Sequence, residues 1–466
     1  MRLIKVFILL FLASATFAQD VPEDLIKTGL ESNIVLKQKA NNYQKSLYAL
    51  KEAKGFFLPS LSLNARYSIA DGGRTIYLPV GDMLNPVYYT LNKISSRMYE
   101  LGVADEVFPL LEIENEEINF LRPTEQETKL QLVQPILNPQ IYFNNKIKAS
   151  LVEAEFADVN TYKRQLVADI KTAWLNYVSC LEILKLIDET QVLLEENLRV
   201  NRKLVENDKA TNDAVYLAKS EISKLDEMRS NTIMQKKTAE AYINFLLNRE
   251  PGTEISIIAD SVFEMKLVDL ESAKSQAAEN RDELDMLEAY RKAAAYNLKL
   301  NSNNKLPVIF GVADYGFQGE EYKFTDKDDF AMVSFVLKWD LFTGFQKNQK
   351  INQVNIDYEN IELQQEEALQ RINLQVINSY YRLESAVAKI VSAEQRVEYS
   401  EKAYNIVNKK YKEGQANLLE FMAARNEMTE AKQNLVLSKL NYKIQLVDFE
   451  RVTASYKFNE TENDEQ

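Results

Sequence analysis

The sequence predicts a mainly α-helical fold with a small β part, built as two internal repeats of strand, strand and long helical hairpin. Two observations carry this prediction. The apolar period typical of a helix continues through two very long stretches of the chain, and one short turn interrupts each stretch. Ahead of each stretch stand two short segments in which apolar and polar residues alternate, as they do in strands with one apolar face.

The duplication is positional, with an offset of 206 residues between the helical hairpins. Eight pairs of apolar residues then coincide on one helix face. These pairs are Leu166 and Ile372, Ile170 and Val376, Trp174 and Tyr380, Tyr177 and Leu383, Leu181 and Val387, Leu184 and Ile390, Leu198 and Tyr404, and Val205 and Tyr411. A fixed offset over a whole hairpin indicates a repeat. We therefore expect hairpins at 139–248 and 345–455, with Gly414 at the turn of the second.

The first 18 residues predict export. Arg2 and Lys5 form a basic start, and the segment Val6–Leu12 is apolar. This is the pattern of a secretory signal peptide, predicted at 1–18. A membrane anchor is the alternative, but the apolar run is shorter than the ~18 residues that a spanning helix needs. The first helix of the exported chain is expected from Val21 to about Lys54.

Composition limits the chemistry that the chain can perform. It has no histidine and one cysteine, Cys180, so a Ser-His-Asp or Cys-His nucleophile, the usual zinc ligand sets and an internal disulfide are excluded. Counting alone leaves carboxylate-pair hydrolysis open, but most of the 69 Asp and Glu residues are expected on solvated helix faces. The net charge of −13 argues against nucleic acid as a partner. We therefore predict no enzyme, no cofactor and no metal site.

Four strands are predicted, at about 59–70 and 126–135 in the first repeat and at about 307–318 and 329–340 in the second. Their apolar positions are predicted to face lipid. These positions are Leu61, Leu63, Tyr67, Leu130, Leu132, Ile309, Tyr315, Phe335, Leu337 and Trp339. An insert at 71–125 separates the first two strands and is expected to be a long exposed loop.

Four short strands cannot close a barrel within one chain. An open sheet with one apolar face is unstable in water and impossible in lipid. Strands of this length with alternating faces are those that transmembrane barrels use. The small β part is therefore predicted to be transmembrane, in a barrel shared with other copies of the chain. A soluble pair of hairpins packed on the helices is the alternative.

These features together resemble the outer-membrane efflux protein family, the TolC-like exit ducts of Gram-negative envelopes. The resemblance extends from about Leu25 to Val452, and it rests on the repeats and on the Leu-Pro strand entries at Leu58 and Leu306. It also rests on two strand exits and one turn, the most specific signal. They are Gln134-Pro135-Ile136-Leu137, Trp339-Asp340-Leu341-Phe342-Thr343-Gly344 and Tyr411-Lys412-Glu413-Gly414-Gln415-Ala416.

The resemblance implies a homotrimer in the cell outer membrane. Each chain would give four strands to a 12-stranded β-barrel in contact with outer-membrane lipid, continued by a periplasmic α-helical tunnel. The repeats are expected at 19–248 and 276–455, an equatorial collar segment at 249–275, and an acidic disordered tail at 456–466. The implied function is that of a passive exit duct in tripartite efflux or type I secretion. The sequence leaves its cargo open among drug, metal, siderophore and protein.

The resemblance also implies a gate at the periplasmic hairpin tips, lined by acidic side chains. Glu420 matches one acidic gate position of the family, Ala423 stands where a second is expected, and Asp213 lies beside the expected position in the first repeat. A ring of like charges in a narrow pore binds cations. The alternative is that Glu420 and Asp213 complement the dipole at the start of a helix.

The implied partners are a periplasmic membrane-fusion adaptor and an inner-membrane pump of RND or ABC type. The adaptor is expected to contact small or polar residues at the two hairpin tips. These are Asn207, Asp208, Lys209, Ala210, Gly414, Gln415 and Ala416. Ordinary turn chemistry explains several of these residues equally well. A soluble periplasmic coiled-coil adaptor or scaffold is the alternative function of the whole chain.

Overall fold

A computed structural model describes residues 21–107, 112–208, 210–255, 269–456 and 458. The predicted signal peptide, Lys209, half of the predicted collar segment and most of the predicted tail lie outside these residues. The described chain forms two compact units. One comprises the described parts of Met1–Lys51, Phe143–Lys299 and Asn348–Gln466, and the other comprises Glu52–Tyr142 and Leu300–Lys347.

Long helices dominate the first unit. The helices of the described residues are α1 (Glu23–Ser32), α2 (Ile34–Gly55), α3 (Val80–Glu100, in the second unit), α4 (Pro139–Glu206), α5 (Asn212–Leu246), α6 (Leu270–Asn280), α7 (Asp282–Asn303), α8 (Gln346–Lys412) and α9 (Leu418–Val452). The two longest, α4 and α8, have 68 and 67 residues, and the helices that follow them, α5 and α9, have 35 residues each. Within the described residues, none of these helices is long and apolar enough to cross a bilayer.

The apolar stripes of α4 and α8 form two cores. The first surrounds Ile170 and Trp174 of α4, which have no exposed surface, and includes Leu25 from α1 and Ile243 from α5. The second surrounds Val376 and Ile390 of α8 with Tyr442 of α9 and Ala277 of α6. Burial of such side chains stabilises each by about 1.5–3 kcal/mol. The apolar period along each helix therefore directs its packing.

The expected single helix from Val21 to Lys54 is wrong, because the chain breaks at Asn33. The Asn33 side chain donates to the carbonyl of Leu246 at 2.9 Å and accepts from the N–H of Leu36 at 3.0 Å. Ser32 donates to the carbonyl of Leu247 at 2.6 Å. The break thus satisfies the last carbonyls of α5, which have no partner within their own helix.

Arg164 of α4 holds the carboxyl-terminal segment in the first unit. Its guanidinium pairs with Asp282 at the start of α7 and donates to the carbonyls of Ala454 and Tyr456, at 3.2 and 2.6 Å. It also lies over the ring of Phe458, 5.2 Å from the ring centre. The side chains of Arg164 and Asp282 are only 16% and 10% exposed. Each charge therefore depends on the other for compensation.

The second unit contains a four-stranded antiparallel sheet in the order β1-β4-β5-β6. Its strands are β1 (Ser60–Ile69), β4 (Thr124–Leu137), β5 (Val308–Gly319) and β6 (Asp329–Lys338), and a separate pair is formed by β2 (Thr75–Leu78) and β3 (Glu116–Asn119). In the four-stranded sheet, β1 and β6 are the two edges. The sheet is open.

The strand register places the predicted lipid-facing residues on one face. Leu61 pairs with Leu132, Leu63 with Leu130, and Leu130 with Tyr315. Ile309 pairs with Leu337 and Gly311 with Phe335, while Tyr67 stands opposite Gln126. Ile309 is half-buried, and the other predicted lipid-facing residues within the strands are 39–77% exposed. Trp339 is an exception in position, because it follows the end of β6 and donates from Nε1 to the carbonyl of Lys305 at 2.9 Å.

The insert at 71–125 is not the loop that the sequence led us to expect. It contains the β2–β3 pair and the 21-residue helix α3. Pro79 stands at the N-cap of α3, where a proline removes no helical hydrogen bond, and Pro86 lies inside the helix. The prolines and the Gly72-Gly73 pair are local loop signals, and they hid the helical period behind them.

We expect the loss of the Arg164 charge to destabilise the helical unit strongly. The substitution Arg164→Met leaves Asp282 buried without its partner, which costs about 3–5 kcal/mol. Arg199→Met is the control, because the Arg199–Glu196 pair is 54% exposed on both sides and such pairs contribute about 0–1 kcal/mol. The stability of each variant is measured as the denaturant concentration at the midpoint of the loss of helical circular dichroism. Equal midpoints for the two variants would contradict the role of Arg164.

Candidate functional site at the hairpin ends

The turn between α8 and α9 is a tight helix end. Gly414 lies two residues after Lys412, the last residue of α8, and has a φ of 72°, in the left-handed region. The N–H of Gln415 donates to the carbonyl of Lys410 at 2.7 Å, and the N–H of Gly414 donates to that of Tyr411 at 3.1 Å. This pair of bonds is the Schellman motif, in which glycine is preferred at the left-handed position.

The turn between α4 and α5 is closed at the equivalent place. Asp208, 206 residues before Gly414, also lies in the left-handed region, with φ of 59°. Its N–H donates to the carbonyl of Val205 at 3.0 Å, and the Asn207 side chain donates to the carbonyl of Lys203 at 2.6 Å. Asn and Asp tolerate this conformation better than other residues that have a side chain.

Most of the candidate adaptor contacts are accessible in the described chain. Asn207, Asp208, Gly414 and Gln415 are exposed, and Ala210 and Ala416 are half-buried. Lys209 lies outside the described residues. The candidates therefore fall on the two turns themselves, where a partner could reach their backbone and side chains.

Glu420 forms a reciprocal cap with Asn417 at the start of α9. The N–H of Glu420 donates to Asn417 Oδ1 at 2.9 Å, and Asn417 Nδ2 donates to Glu420 Oε1 at 3.1 Å. The carboxylate itself is exposed. The geometry thus gives Glu420 a capping role, and it leaves the second carboxylate oxygen, Oε2, outside this pair of bonds.

Asp213 stands in the first turn of α5, one position earlier than the equivalent of Glu420. Its carboxylate accepts a hydrogen bond from the hydroxyl of Thr211, the N-cap residue. Asp213 is exposed, as Glu420 is. Each of the two carboxylates is thus held by the N-cap residue of its own helix.

A buried polar link joins the two hairpins just behind the tips. The ring of Tyr411 stacks on Phe421, with 4.8 Å between ring centres, and its hydroxyl donates to Asn201 Oδ1 at 2.6 Å. Asn201 has no exposed surface and donates in turn to Asn197 at 2.9 Å. Burial raises the pKa of the Tyr411 phenol, so the hydroxyl stays a donor.

A second link is an ion pair between α9 and α5. Arg425, only 4% exposed, donates to Glu221 Oε2 at 2.9 Å, and Lys224 lies 2.7 Å from the other oxygen. Burial acts to raise the pKa of Glu221, but the hydrogen bonds and charges of Lys224 and Arg425 outweigh it and hold the pKa below its usual value. The pair therefore stays ionised at neutral pH.

Sequence reasoning missed both links. It assigned Tyr411 to an apolar stripe and did not single out Arg425. One signal was present, because Arg425 follows Phe421 by four residues and precedes Met428 by three. A charged residue at an apolar-face position needs a buried partner. The identity of that partner, Glu221, depends on how the two hairpins pack.

The face of the sheet opposite the apolar one carries a charge network. Lys129 lies 2.8 Å from Glu127 and 3.6 Å from Asp314, and Arg66 lies 3.4 Å from Glu127. Gln131 donates to Asp314 at 3.0 Å. This network makes the second face polar along β1 and β4, whereas Met332 and Val336 of β6 are apolar residues on the same face. Among the described residues, no group of three or more Cys, Asp or Glu side chains is arranged to hold a metal ion.

A comparison of the sequence with protein families matches residues 273–455 to the model described as outer membrane efflux protein. This segment contains α8, α9, β5 and β6. No curated protein sequence matches the chain at a significant level. The family model therefore covers less than half of the chain.

Solved outer-membrane channels share the fold of almost the whole chain. The outer-membrane channel OprN superposes with a TM-score of 0.75 at 13% identity, covering 93% of this chain and 90% of that one. VceC of Vibrio cholerae gives 0.73 at 13% identity, with 92% and 95% covered. The open state of MtrE of Neisseria gonorrhoeae gives 0.70 at 15% identity, with 92% and 88% covered.

The sequence match and the shared fold agree with each other and with the polarity of the sheet. Residues 273–455 therefore match the outer membrane efflux protein family, and the described chain has the fold of solved outer-membrane channels.

Proposed function

We propose that the protein is a passive exit duct of a tripartite efflux or type I secretion system. The observation that carries the proposal is the open four-stranded sheet, which has an apolar face, a charge network on the other face and two edge strands without a further strand partner in the described chain. Such a sheet suits a segment of a membrane barrel around a polar lumen. The duct performs no chemistry of its own, and we infer that it is not an enzyme.

The barrel would be completed by three copies. Four strands per chain give twelve in a homotrimer, in which β6 of one copy pairs with β1 of the next. This pairing satisfies the edge backbone groups, which lipid cannot do. The apolar face then contacts outer-membrane lipid and the charge network lines the lumen, as in wide barrels that hold water. The nearly equal lengths of the helices in the two hairpins, 68 and 35 residues against 67 and 35, support an internal duplication, as in the family.

The hairpin tips would form the periplasmic gate and the docking site. Three copies of Glu420 and of Asp213 would give rings of negative charge, which bind cations. A membrane-fusion adaptor would contact the turns at Asn207–Ala210 and Gly414–Ala416, and an RND or ABC pump would supply the energy and choose the cargo. Exposure of both turns supports this assignment.

Membrane fractionation and gel electrophoresis test the duct itself. We expect the protein in the outer-membrane fraction, as a species that runs as a trimer when unheated and as a monomer after boiling. Barrels with fully paired strands resist detergent, so heat sensitivity reports the shared sheet. A soluble periplasmic monomer would refute the proposal.

A charge on the apolar face should prevent membrane insertion. We expect Leu63→Arg to cost about 2–4 kcal/mol near the middle of the bilayer and to abolish the heat-sensitive trimer. Ser62→Arg is the matched control, because the adjacent residue of β1 lies on the opposite face and its arginine would meet the lumen. Normal insertion of both variants would show that the strands are oriented differently.

The charge of Glu420 should set cation block of the duct. Glu420→Gln keeps an amide oxygen that can accept from Asn417, so the cap is retained while the charge is lost. We expect a clear weakening of block by divalent cations in planar bilayers. Glu413→Gln, an exposed carboxylate before the turn, is the control and should leave block unchanged. If the two variants behave alike, Glu420 serves only as a cap.

A further inference from the structure

Helix α3 exposes an apolar surface that nothing in the described chain covers. Seven large apolar side chains along it are 38–71% exposed. They are Met83, Leu84, Val87, Leu91, Ile94, Met98 and Leu101. At on the order of 90 Å² for a fully exposed side chain of this size, they present roughly 300 Å². A patch of a few hundred Å² is comparable to the largest apolar patch on a typical monomer, and such patches are often functional.

The opposite side of α3 is held by polar contacts to another segment of the insert, at Ile113 and Asn115. The Asn85 side chain donates to the carbonyl of Ile113 at 2.8 Å and accepts from its N–H at 2.9 Å. Asn115 Oδ1 accepts from the N–H of Asp82 at 3.0 Å. At Gly81 an added Cβ would lie 2.3 Å from the carbonyl of Ile113, so only glycine permits this approach. The helix therefore packs its polar side inward and presents its apolar side outward.

The spacing of the apolar residues is that of a coiled coil. All of these residues except Met83 recur every three and four residues in strict alternation, which places Leu84, Leu91 and Met98 at the a positions of a heptad. The d positions are Val80, Val87, Ile94 and Leu101. A clean a/d stripe is the seam of helices that pack against each other. Leucine at a with β-branched residues at d favours three or four strands over two.

Chain connectivity brings the copies of this helix to one end of the sheet. β1, β4, β5 and β6 join helices of the first unit at one end, marked by the paired residues Ser60 and Val133. The insert that contains α3 connects Ile69 to Thr124 at the other end. In the proposed trimer, this end faces the exterior, and the three copies of α3 lie there around the threefold axis.

We propose that the α3 helices of three protomers pack along this seam as a parallel three-helix bundle at the exterior end of the duct. The inference rests on the trimer of the proposed function. Three helices would bury on the order of 900 Å² together, near the ~1,000 Å² expected of a specific interface. The charges on the rest of α3, Asp82 and Glu100 against Lys93 and Arg97, cancel. A helix that binds an anionic membrane surface is instead rich in Lys and Arg.

Disulfide trapping tests the bundle in the intact protein. The background is Cys180→Ser, which removes the buried native cysteine. In this background we expect Leu91→Cys, at the seam, to give a covalent dimer on a boiled non-reducing gel after oxidation in membranes. Tyr89→Cys is the matched control, since it is 66% exposed but lies on the other side of α3, and it should stay monomeric. Ile94→Cys, at the adjacent seam position, should behave like Leu91→Cys.

The outcomes separate the bundle from the duct. If Leu91→Cys and Ile94→Cys stay monomeric while the unheated sample runs as a trimer, the bundle is wrong and the duct stands. A nitroxide attached at position 91 provides a second test. Free access of lipid-dissolved oxygen to this nitroxide would overturn the bundle and assign the seam to the membrane surface. Absence of a trimer in the unheated background sample would refute the proposed function itself.

Discussion

Backbone hydrogen bonding at the edges of the four-stranded sheet is the constraint on which the rest of the structure depends. β1 and β6 each leave a row of N–H and C=O groups without a strand partner in the described chain. In hydrocarbon each such group costs several kcal/mol, because no water can replace the missing strand. If this sheet lies in lipid, as we propose, both edges must therefore meet other strands. The proposed assembly follows from this requirement.

In the helical unit, polar groups are instead satisfied within the chain, by contacts between residues far apart in sequence. Asn33 interrupts the first helix and gives its side chain to the end of α5. Arg164 donates to two carbonyls of the segment that follows α9, and it pairs with a carboxylate at the start of α7. Long helices have few ends, so the unpaired groups concentrate at a few points. The stability of the helical unit therefore depends on a small number of buried polar side chains at the helix ends.

Periodicity explains how far the sequence could predict this fold. The turn at Gly414 and the alternation of Leu61 and Leu63 are local patterns, and local patterns predicted where helices and strands lie. The break at Asn33 was unpredictable because its cause is a carbonyl more than 200 residues away. Helix α3 was missed because local loop signals outweighed a heptad that was present. At the hairpin ends, the sequence located the turns, but the partner of Arg425 follows only from packing.

The cap at Glu420 is compatible with the gate role that we propose for the same residue. Asn417 holds one carboxylate oxygen and receives the backbone N–H, so the side chain is fixed on the first turn of α9. A carboxylate has a second oxygen, and the exposed position of Glu420 leaves it open to solvent and ions. Under threefold symmetry, the same cap in each copy would place the three charges at one level. The cap is then the device that would position a charged ring, and it does not compete with the gate.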